Sequence, residues 1–258
     1  CQPGSGMDKQ PTDACLLDLP DREQPTSILL VRGNAAYHMG PSSPKQLIEP
    51  QIHAYLHGRG LSPDHLIQIS GFYKYPTKDD VQRVTELINE HDADLVIGVG
   101  FLFADTMTEV AAQYPDTAFG IIDGWVEAPN VASLGFAEHE GSFLVGAAAG
   151  LKSTTGLIGF IGGVTIGLIG KFEAGFVAGV TATNPDAVVI IEYISEPPDF
   201  SGFGAPDRAR EIAGSMYEKG ADIIYHAAGG SGAGLFEAAE SHSEDSGSKV
   251  WAIGVDSD

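Results

Sequence analysis

Residues 94–258 repeat one pattern, in which a short apolar run ends in a loop with Gly or Asp and a segment with helical spacing follows. Strands that are buried on both faces are near-continuous runs of Val, Ile and Leu, and their alternation with helices predicts parallel sheets of βαβ units. Ligands bind beyond the carboxyl ends of the strands in such sheets, so these loops should carry the function. The strand ends that show the pattern are at residues 96–101, 119–124, 158–163, 223–230 and 251–258.

The spacing of the apolar residues predicts two lobes of this α/β type, residues 26–131 and residues 132–258, after a tether at residues 1–25. In the first lobe we predict strands at residues 26–31, 66–70, 95–99 and 118–122, and helices at residues 45–59, 77–91 and 105–113. Residues 131–136 should cross to the second lobe. There we predict helices at residues 138–151, 169–183, 207–219 and 232–241, and strands at residues 157–161, 188–194, 222–225 and 249–255.

The composition excludes several classes of partner. With 14 Lys and Arg against 35 Asp and Glu, the net charge is -21. This charge argues against nucleic acid, because neutralising phosphates requires clustered cations, and it disfavours direct docking on anionic lipid. No apolar run approaches the roughly 20 residues that a membrane-spanning helix needs. The sequence therefore indicates an acidic globular protein with a surface that favours solubility.

The first residue, Cys1, precedes a polar stretch rich in Gly, Pro and Ser that extends to Gln24. A bacterial lipoprotein has this pattern after its signal peptide has been removed, with a lipidated cysteine and a flexible tether. A lipid group on Cys1 would then anchor the protein in the membrane. An arbitrary boundary of the sequence is the alternative. We expect Cys15, in the same tether, to be a free thiol or a minor packing residue, and no disulfide framework is expected.

Eight short motifs follow one another along the chain: Tyr114-Pro115-Asp116, Asn130-Val131-Ala132-Ser133, Glu140-Gly141-Ser142-Phe143-Leu144, Gly159-Phe160-Ile161-Gly162-Gly163, Phe172-Glu173-Ala174-Gly175-Phe176, Asn184-Pro185-Asp186, His226-Ala227-Ala228-Gly229-Gly230 and Gly254-Val255-Asp256-Ser257-Asp258. In this order they resemble the basic membrane protein (Bmp) family, the substrate-binding lipoproteins of ABC transporters that include the purine nucleoside receptors. The resemblance implies the two-lobed periplasmic-binding-protein type I architecture, with a small ligand, most simply a purine nucleoside, in the cleft between the lobes. It also implies ABC permease subunits as partners and a place on the extracytoplasmic side of the cell membrane, with no cofactor and no catalysis.

The resemblance also implies ligand contacts at the strand ends. Phe172 should stack on the base, while Asp123 and Asp256 should accept hydrogen bonds from the ribose hydroxyls. Gly229 and Gly230 would offer backbone amides. Each position has a structural alternative: helix core for the phenylalanine, turn capping for the aspartates and a tight turn for the glycines. Four residues after Phe172 comes the phenylalanine that we expect in the core, Phe176.

The family pattern is not complete at either end. The loop after the first strand, residues 31–40, lacks the acid that the family carries there, although Tyr37 could replace its aromatic residue and Asn34 its amide. Packing of Tyr37 against the lobe is the equal alternative. The resemblance further implies a return segment to the first lobe, with a basic ligand contact, beyond Asp258. We therefore expect this sequence to lack that segment, as a truncated or a divergent short member.

Other functions have weaker support. The motif Gly229-Gly230-Ser231-Gly232-Ala233 misses the last position of the Gly-x-Ser-x-Gly nucleophile elbow, and no Gly-x-Gly-x-x-Gly follows a strand. Glu49, His53 and His57 have a spacing that could hold zinc, but an exposed polar helix face explains them better, and we expect no metal. The remaining alternative is a surface lipoprotein that acts as a small-molecule sensor or binds a partner protein without a role in transport.

Overall fold

The structure of the protein is a computed structural model that describes residues 28–33, 66–72 and 78–255. The predicted helix at residues 45–59, the candidate metal ligands within it, and Cys1, Asn34, Tyr37 and Asp256 lie outside the described residues. The chain divides into two compact units. We call them the N-terminal unit, which ends at Phe136, and the C-terminal unit, which begins at Ala137.

The N-terminal unit contains one five-stranded sheet in which every described pair of neighbouring strands is parallel. Its elements are β1 (Ile28–Gly33), β2 (Leu66–Phe72), α1 (Lys78–His91), β3 (Leu95–Val99), α2 (Ala104–Gln113), β4 (Ala118–Ile122) and β5 (Val131–Leu134). The strand order is β2-β1-β3-β4-β5. Buried apolar side chains from the sheet and both helices form the core, among them Val84, Ile88, Val96, Met107, Val110 and Phe119.

The C-terminal unit contains a four-stranded parallel sheet of order β7-β6-β8-β9. Its elements are α3 (Glu138–Lys152), β6 (Leu157–Val164), α4 (Gly167–Thr183), β7 (Val188–Ser195), α5 (Pro206–Glu218), β8 (Ile223–Ala227), α6 (Gly232–Ser246) and β9 (Trp251–Ile253). The central strand β6 is Gly-rich and almost wholly buried, as a strand covered on both faces should be.

Helices α3 and α4 pack backbone against backbone. A Cβ atom on Gly179 would lie 2.7 Å from the backbone nitrogen of Ala147, and one on Gly175 would collide with the backbone of His139. The two contacts advance in the same direction along both helices, so the helices run parallel. Since α4 begins after the carboxyl end of β6, α3 also begins at that end of the sheet.

An aromatic cluster fills the space between this helix pair and the sheet. The ring of Phe176 on α4 lies 5.0 Å from the ring of Tyr225 and 6.1 Å from that of Phe160. The hydroxyl groups of Tyr225 and Ser142 are 3.3 Å apart, so a buried hydrogen bond joins β8 to α3. Phe176 is fully buried, which confirms the prediction that it belongs to the core.

Parallel sheets flanked by helices confirm the predicted α/β fold class. One segment has a different place from the predicted one: residues 131–136, expected to cross between lobes, begin with β5, which pairs with β4 in the N-terminal sheet. The first unit extends to Phe136, and the division into lobes at residue 131 stays a prediction. In the part of the chain that the structure describes, no helix is long and apolar enough to cross a membrane.

Candidate functional site

Because the strands of each sheet are parallel, their carboxyl ends lie along one edge, which we call the carboxyl edge of that unit. In the N-terminal unit, hydrogen bonds between backbone groups join consecutive loops at this edge. The N–H of Gly100, after β3, donates to the carbonyl oxygen of Ile122 at 2.8 Å, and the N–H of Asp123 donates to that of Leu134 at 2.8 Å. The residue after β3 is thus tied to the end of β4, and the residue after β4 is tied to the end of β5.

Asp123 lies at this edge, where the sequence placed it. Its backbone has a φ of 58°, in the left-handed region that Asp adopts more often than most residues. The next residue, Gly124, packs so closely that a Cβ atom there would be 2.6 Å from the side chain of Ile121 and 3.2 Å from the Cα of Phe101. The backbone around Asp123 is therefore held in a tight turn.

Residues 123–126, which we call the β4–β5 turn, are also fixed at their far end. The N–H of Val126 donates to Oγ of Ser133 at 2.9 Å, and the Ser133 hydroxyl donates to the carbonyl oxygen of Val126 at 3.2 Å. The side chain of Val126 is buried, whereas that of its neighbour Trp125 is 77% exposed. Trp125 could not be recognised as a candidate from the sequence, because an isolated Trp after a strand carries no spacing signal.

Phe172 lies in the second turn of α4, at the carboxyl edge of the C-terminal unit, and its side chain is half-buried. Side-chain bonds hold both of its neighbours in the sequence. The Nζ of Lys171 is 3.3 Å from Oε2 of the buried Glu138 at the start of α3. The hydroxyl of Tyr193 on β7 donates to Oε2 of Glu173 at 2.6 Å, and burial together with this bond raises the pKa of Tyr193 above its usual value. The stacking role of Phe172 stays a prediction.

Gly229 and Gly230 lie in a 3-10 turn, Gly229–Ser231, between β8 and α6. Gly229 has a φ of 53°, and Gly230 is exposed at the carboxyl edge. The buried Ser231 hydroxyl donates to the carbonyl oxygen of Gly202 at 2.6 Å and accepts from the N–H of Ala205 at 2.8 Å. Ser231 thus connects the turn after β8 to the loop after β7, and both hydrogen bonds of its hydroxyl stabilise these two loops. From the sequence, Ser231 was a candidate only for a nucleophile, in a motif that misses its last position.

The loop after β7 has further internal bonds. The Ser195 hydroxyl donates to the carbonyl oxygen of Asp199 at 2.7 Å and accepts from the N–H of Gly202 at 3.1 Å. Hydrogen bonds from Ser201, and the charge of Arg208, hold the pKa of Asp199 below its usual value. Bonds within the protein therefore hold both loops at this edge of the C-terminal unit.

Another buried acid lies at the opposite end of the strands. Asp222, just before β8, accepts hydrogen bonds from the hydroxyl of Ser153 at 2.7 Å and from the N–H groups of Thr154 and Thr155 at 2.6 and 3.1 Å. Burial by itself would raise the pKa of Asp222, but these bonds, with one from the Thr154 hydroxyl, outweigh it and lower the pKa. Asp222 therefore closes the α3–β6 loop and has no place at the candidate site.

Within the described ranges, no group of three or more His, Cys, Asp or Glu side chains could hold a metal ion. Of the ligand contacts predicted from the sequence, the structure describes Asp123, Phe172, Gly229 and Gly230, and it places each at the carboxyl edge of its own unit. The other three, Asn34, Tyr37 and Asp256, are outside the described residues, as is the lipidation residue Cys1.

Comparison with known proteins finds relatives that belong to one family of substrate-binding proteins. Residues 61–258 match the model of the Bmp family, described as ABC transporter substrate-binding protein PnrA-like. A CD4+ T-cell-stimulating antigen of Listeria innocua is 44% identical over 169 residues, which are 65% of this chain and 46% of the relative. The ABC transporter nucleoside-binding protein BmpA of Lactococcus lactis is 37% identical over 167 residues, 64% of this chain and 46% of the relative. The chain thus matches about half the length of these relatives.

Solved structures show the same fold. An ABC transporter solute-binding protein from Aeropyrum pernix K1 superposes with a TM-score of 0.66 at 23% identity, covering 88% of this chain and 62% of that protein. Such neighbours have the type I periplasmic-binding-protein fold, which agrees with the parallel sheets described above. The family match covers well over half of the chain, and the motifs at the strand ends lie within it. The chain therefore belongs to the Bmp family of PnrA-like ABC transporter substrate-binding proteins.

Proposed function

We propose that this protein is the extracytoplasmic substrate-binding component of an ABC importer and that its ligand is a purine nucleoside. The observation that carries the proposal is the match to the Bmp family, together with 37% identity to a relative named as a nucleoside-binding protein. The positions of Asp123 and Phe172 support it, because a carboxylate and an aromatic ring lie at the edges where parallel α/β sheets bind ligands.

The chemistry required is recognition without a covalent step. Phe172 would stack on the base, an interaction that contributes ~1–3 kcal/mol per base and tolerates any base because each has a π-face. The Asp123 carboxylate would accept hydrogen bonds from the two ribose hydroxyls, which only an acceptor-rich group can do at once. Gly229 and Gly230 would contribute backbone N–H groups, and Asp256, Asn34 and Tyr37 remain proposed further contacts.

Delivery of the ligand would require permease subunits, and retention near them would require an anchor. We propose that a lipid group on Cys1 provides the anchor and that the polar residues after it act as a flexible tether. Metabolic labelling with a fatty-acid analogue in a bacterial host should label the protein expressed with its leader and should fail to label the Cys1→Ser variant. Equal labelling of both proteins would disprove the anchor.

Calorimetry on the purified protein tests the ligand. Inosine, guanosine and adenosine should each bind, and ribose and common amino acids should bind at least tenfold more weakly. Only a nucleoside combines a base that can stack with the two ribose hydroxyls, because ribose lacks the base and amino acids lack the pair of hydroxyls. Binding of ribose or of an amino acid, with no binding of any nucleoside, would refute the nucleoside proposal and leave the family membership unchanged. If the protein binds a nucleoside but deletion of its gene leaves nucleoside uptake intact, the result would favour a role as a small-molecule sensor.

A further inference from the structure

Trp125 is the most exposed of the large hydrophobic side chains that the structure describes, with 77% of its surface accessible. Trp residues are on average strongly buried, so an indole with this exposure is unusual, and its surroundings decide what it can bind. The other Trp in the sequence, Trp251, differs: it is 37% exposed, and the ammonium groups of Lys152 and Lys249 cover its ring at 4.7 and 3.9 Å.

The backbone that carries Trp125 is held on both sides. On one side, the N–H of Asp123 donates to the carbonyl oxygen of Leu134 and Gly124 packs against Ile121. On the other, Ser133 bonds both backbone groups of Val126. An aromatic side chain on a fixed turn loses little conformational freedom when it binds, because the backbone is already ordered and only two side-chain torsions remain. Trp125 therefore has the properties of a preorganised binding residue.

Its position indicates what it would bind. Trp125 lies beyond the carboxyl end of β4, two residues after Asp123, the carboxylate proposed for the ribose hydroxyls. One short turn thus carries a hydroxyl acceptor and a flat aromatic surface, the two groups that a nucleoside needs for its sugar and its base. An indole has the largest π-face among the protein side chains, so it can cover both rings of a bicyclic purine.

We propose that Trp125 is a specificity-determining residue of the N-terminal unit that stacks on the purine base of the nucleoside. This inference rests on the proposed function, since it assumes a nucleoside ligand, but it adds a contact that neither the motifs nor the spacing of the sequence assigns. It also accounts for an apolar side chain of this size that is exposed on the β4–β5 turn.

The fluorescence of single-Trp variants tests the contact directly. The sequence has two Trp residues, so W251F leaves Trp125 as the sole reporter and W125F leaves Trp251. Saturating inosine should change the emission of W251F strongly, and it should leave the emission of W125F nearly constant. An unchanged emission of W251F at saturation, with binding confirmed by calorimetry, would overturn the inference.

Calorimetry on variants measures how much Trp125 contributes to the affinity for inosine. W125A should weaken inosine binding by roughly 5- to 150-fold, which corresponds to the loss of one stacking contact, while W125F should retain most of the affinity. The matched control is L151A, because Leu151 on α3 is 75% exposed and lies far from the end of β4 along the chain. All variants should melt at the temperature of the wild type, since these side chains are largely in water.

The outcomes separate the two proposals. If the wild type binds inosine and W125A binds it equally well, the inference is wrong while the proposed function stands, and the exposed indole then belongs to a protein-contact surface. If the wild type binds none of the three nucleosides, the proposed function and the inference fall together. A loss of affinity in W125A that W125F restores, with unchanged melting, supports both.

Discussion

Truncating Phe176 should destabilise the protein severely, whereas truncating Phe172 should mainly reduce ligand affinity. Both residues are on α4, four positions apart, so the same substitution to Ala removes the same atoms from one helix. Only the surroundings differ, because Phe176 is fully buried and Phe172 is half-buried. The pair therefore separates a core role from a binding role within one experiment.

The expected magnitude follows from the packing of Phe176. Its ring contacts the rings of Phe160 and Tyr225, and its backbone lies against Gly146, so the neighbouring helix cannot collapse into the space that Ala would leave. Loss of a buried Phe costs ~3–5 kcal/mol when the cavity persists. For a chain of this size that should lower the melting temperature by roughly 6–20 °C.

The Phe172→Ala variant should lower the free energy of unfolding by ~1–2 kcal/mol, clearly less than Phe176→Ala, because its ring is only half-buried. Its inosine affinity should fall by roughly 5- to 150-fold if the ring stacks on the base. Phe172→Tyr is the matched control, since it keeps the flat ring and should keep most of the affinity. Thermal denaturation followed by circular dichroism, with calorimetry at 25 °C, measures both quantities. Equal destabilisation by the two Ala variants would show that our assignment of the two rings is wrong.

Three further predictions concern features away from Phe172. Asp222→Asn should lower the free energy of unfolding by ~1–3 kcal/mol at pH 7. Because the folded-state pKa of Asp222 is lowered, the difference in stability from the wild type should shrink as the pH falls below about 4. Denaturant unfolding at pH 7 and pH 3 measures this difference, and an equal difference at both pH values would contradict the prediction. Gly179→Ala should strongly destabilise the protein, because the added Cβ would force α3 away from α4. Gly141→Ala lies on the same helix pair, but its Cβ would meet nothing within 4 Å, so it should be neutral or stabilising by up to ~1 kcal/mol. Thermal melts that rank the two variants in the opposite order would contradict the backbone contact. Ser231→Ala should leave the carbonyl oxygen of Gly202 without its donor, so it should reduce stability by ~1–3 kcal/mol and weaken nucleoside binding. If thermal melting shows unchanged stability and calorimetry shows unchanged affinity, the two loops do not depend on this bond.

Local patterns were sufficient to predict most elements of the sheets. Strands β3 and β4 have the predicted bounds, because Leu95–Val99 and Ala118–Ile122 are apolar runs bounded by polar turns. The placement of β5 could not be predicted, because a four-residue strand shows little periodicity and only its pairing with β4 decides its sheet. Phe172 and Phe176 are four positions apart and so lie on the same face of α4, which means that their spacing alone could not show which ring is buried. The resemblance to the family favoured Phe176 for the core, and its burial confirms this.

The hydrogen bonds that hold the loops at the carboxyl edges join residues that no local sequence pattern connects. Ser231 is 29 residues from Gly202, and Ser133 is seven residues from Val126 across a turn, so each pair meets only once the sheet has formed. Trp125 was missed for a related reason. Its exposure is a property of the folded turn, and a Trp in a sequence is more often part of a core.

The bonds of Ser231 have a consequence for how ligand preference could change during evolution or in the laboratory. Because they fix the backbone after β7 and β8 independently of the exposed positions, side chains at the rim can vary without loss of the loop shape. Gly230 is such a position, exposed and adjacent to the fastened serine. A library that randomises Gly230 and keeps Ser231 should therefore yield folded proteins with altered ligand selectivity, whereas randomising Ser231 should yield mainly unstable ones.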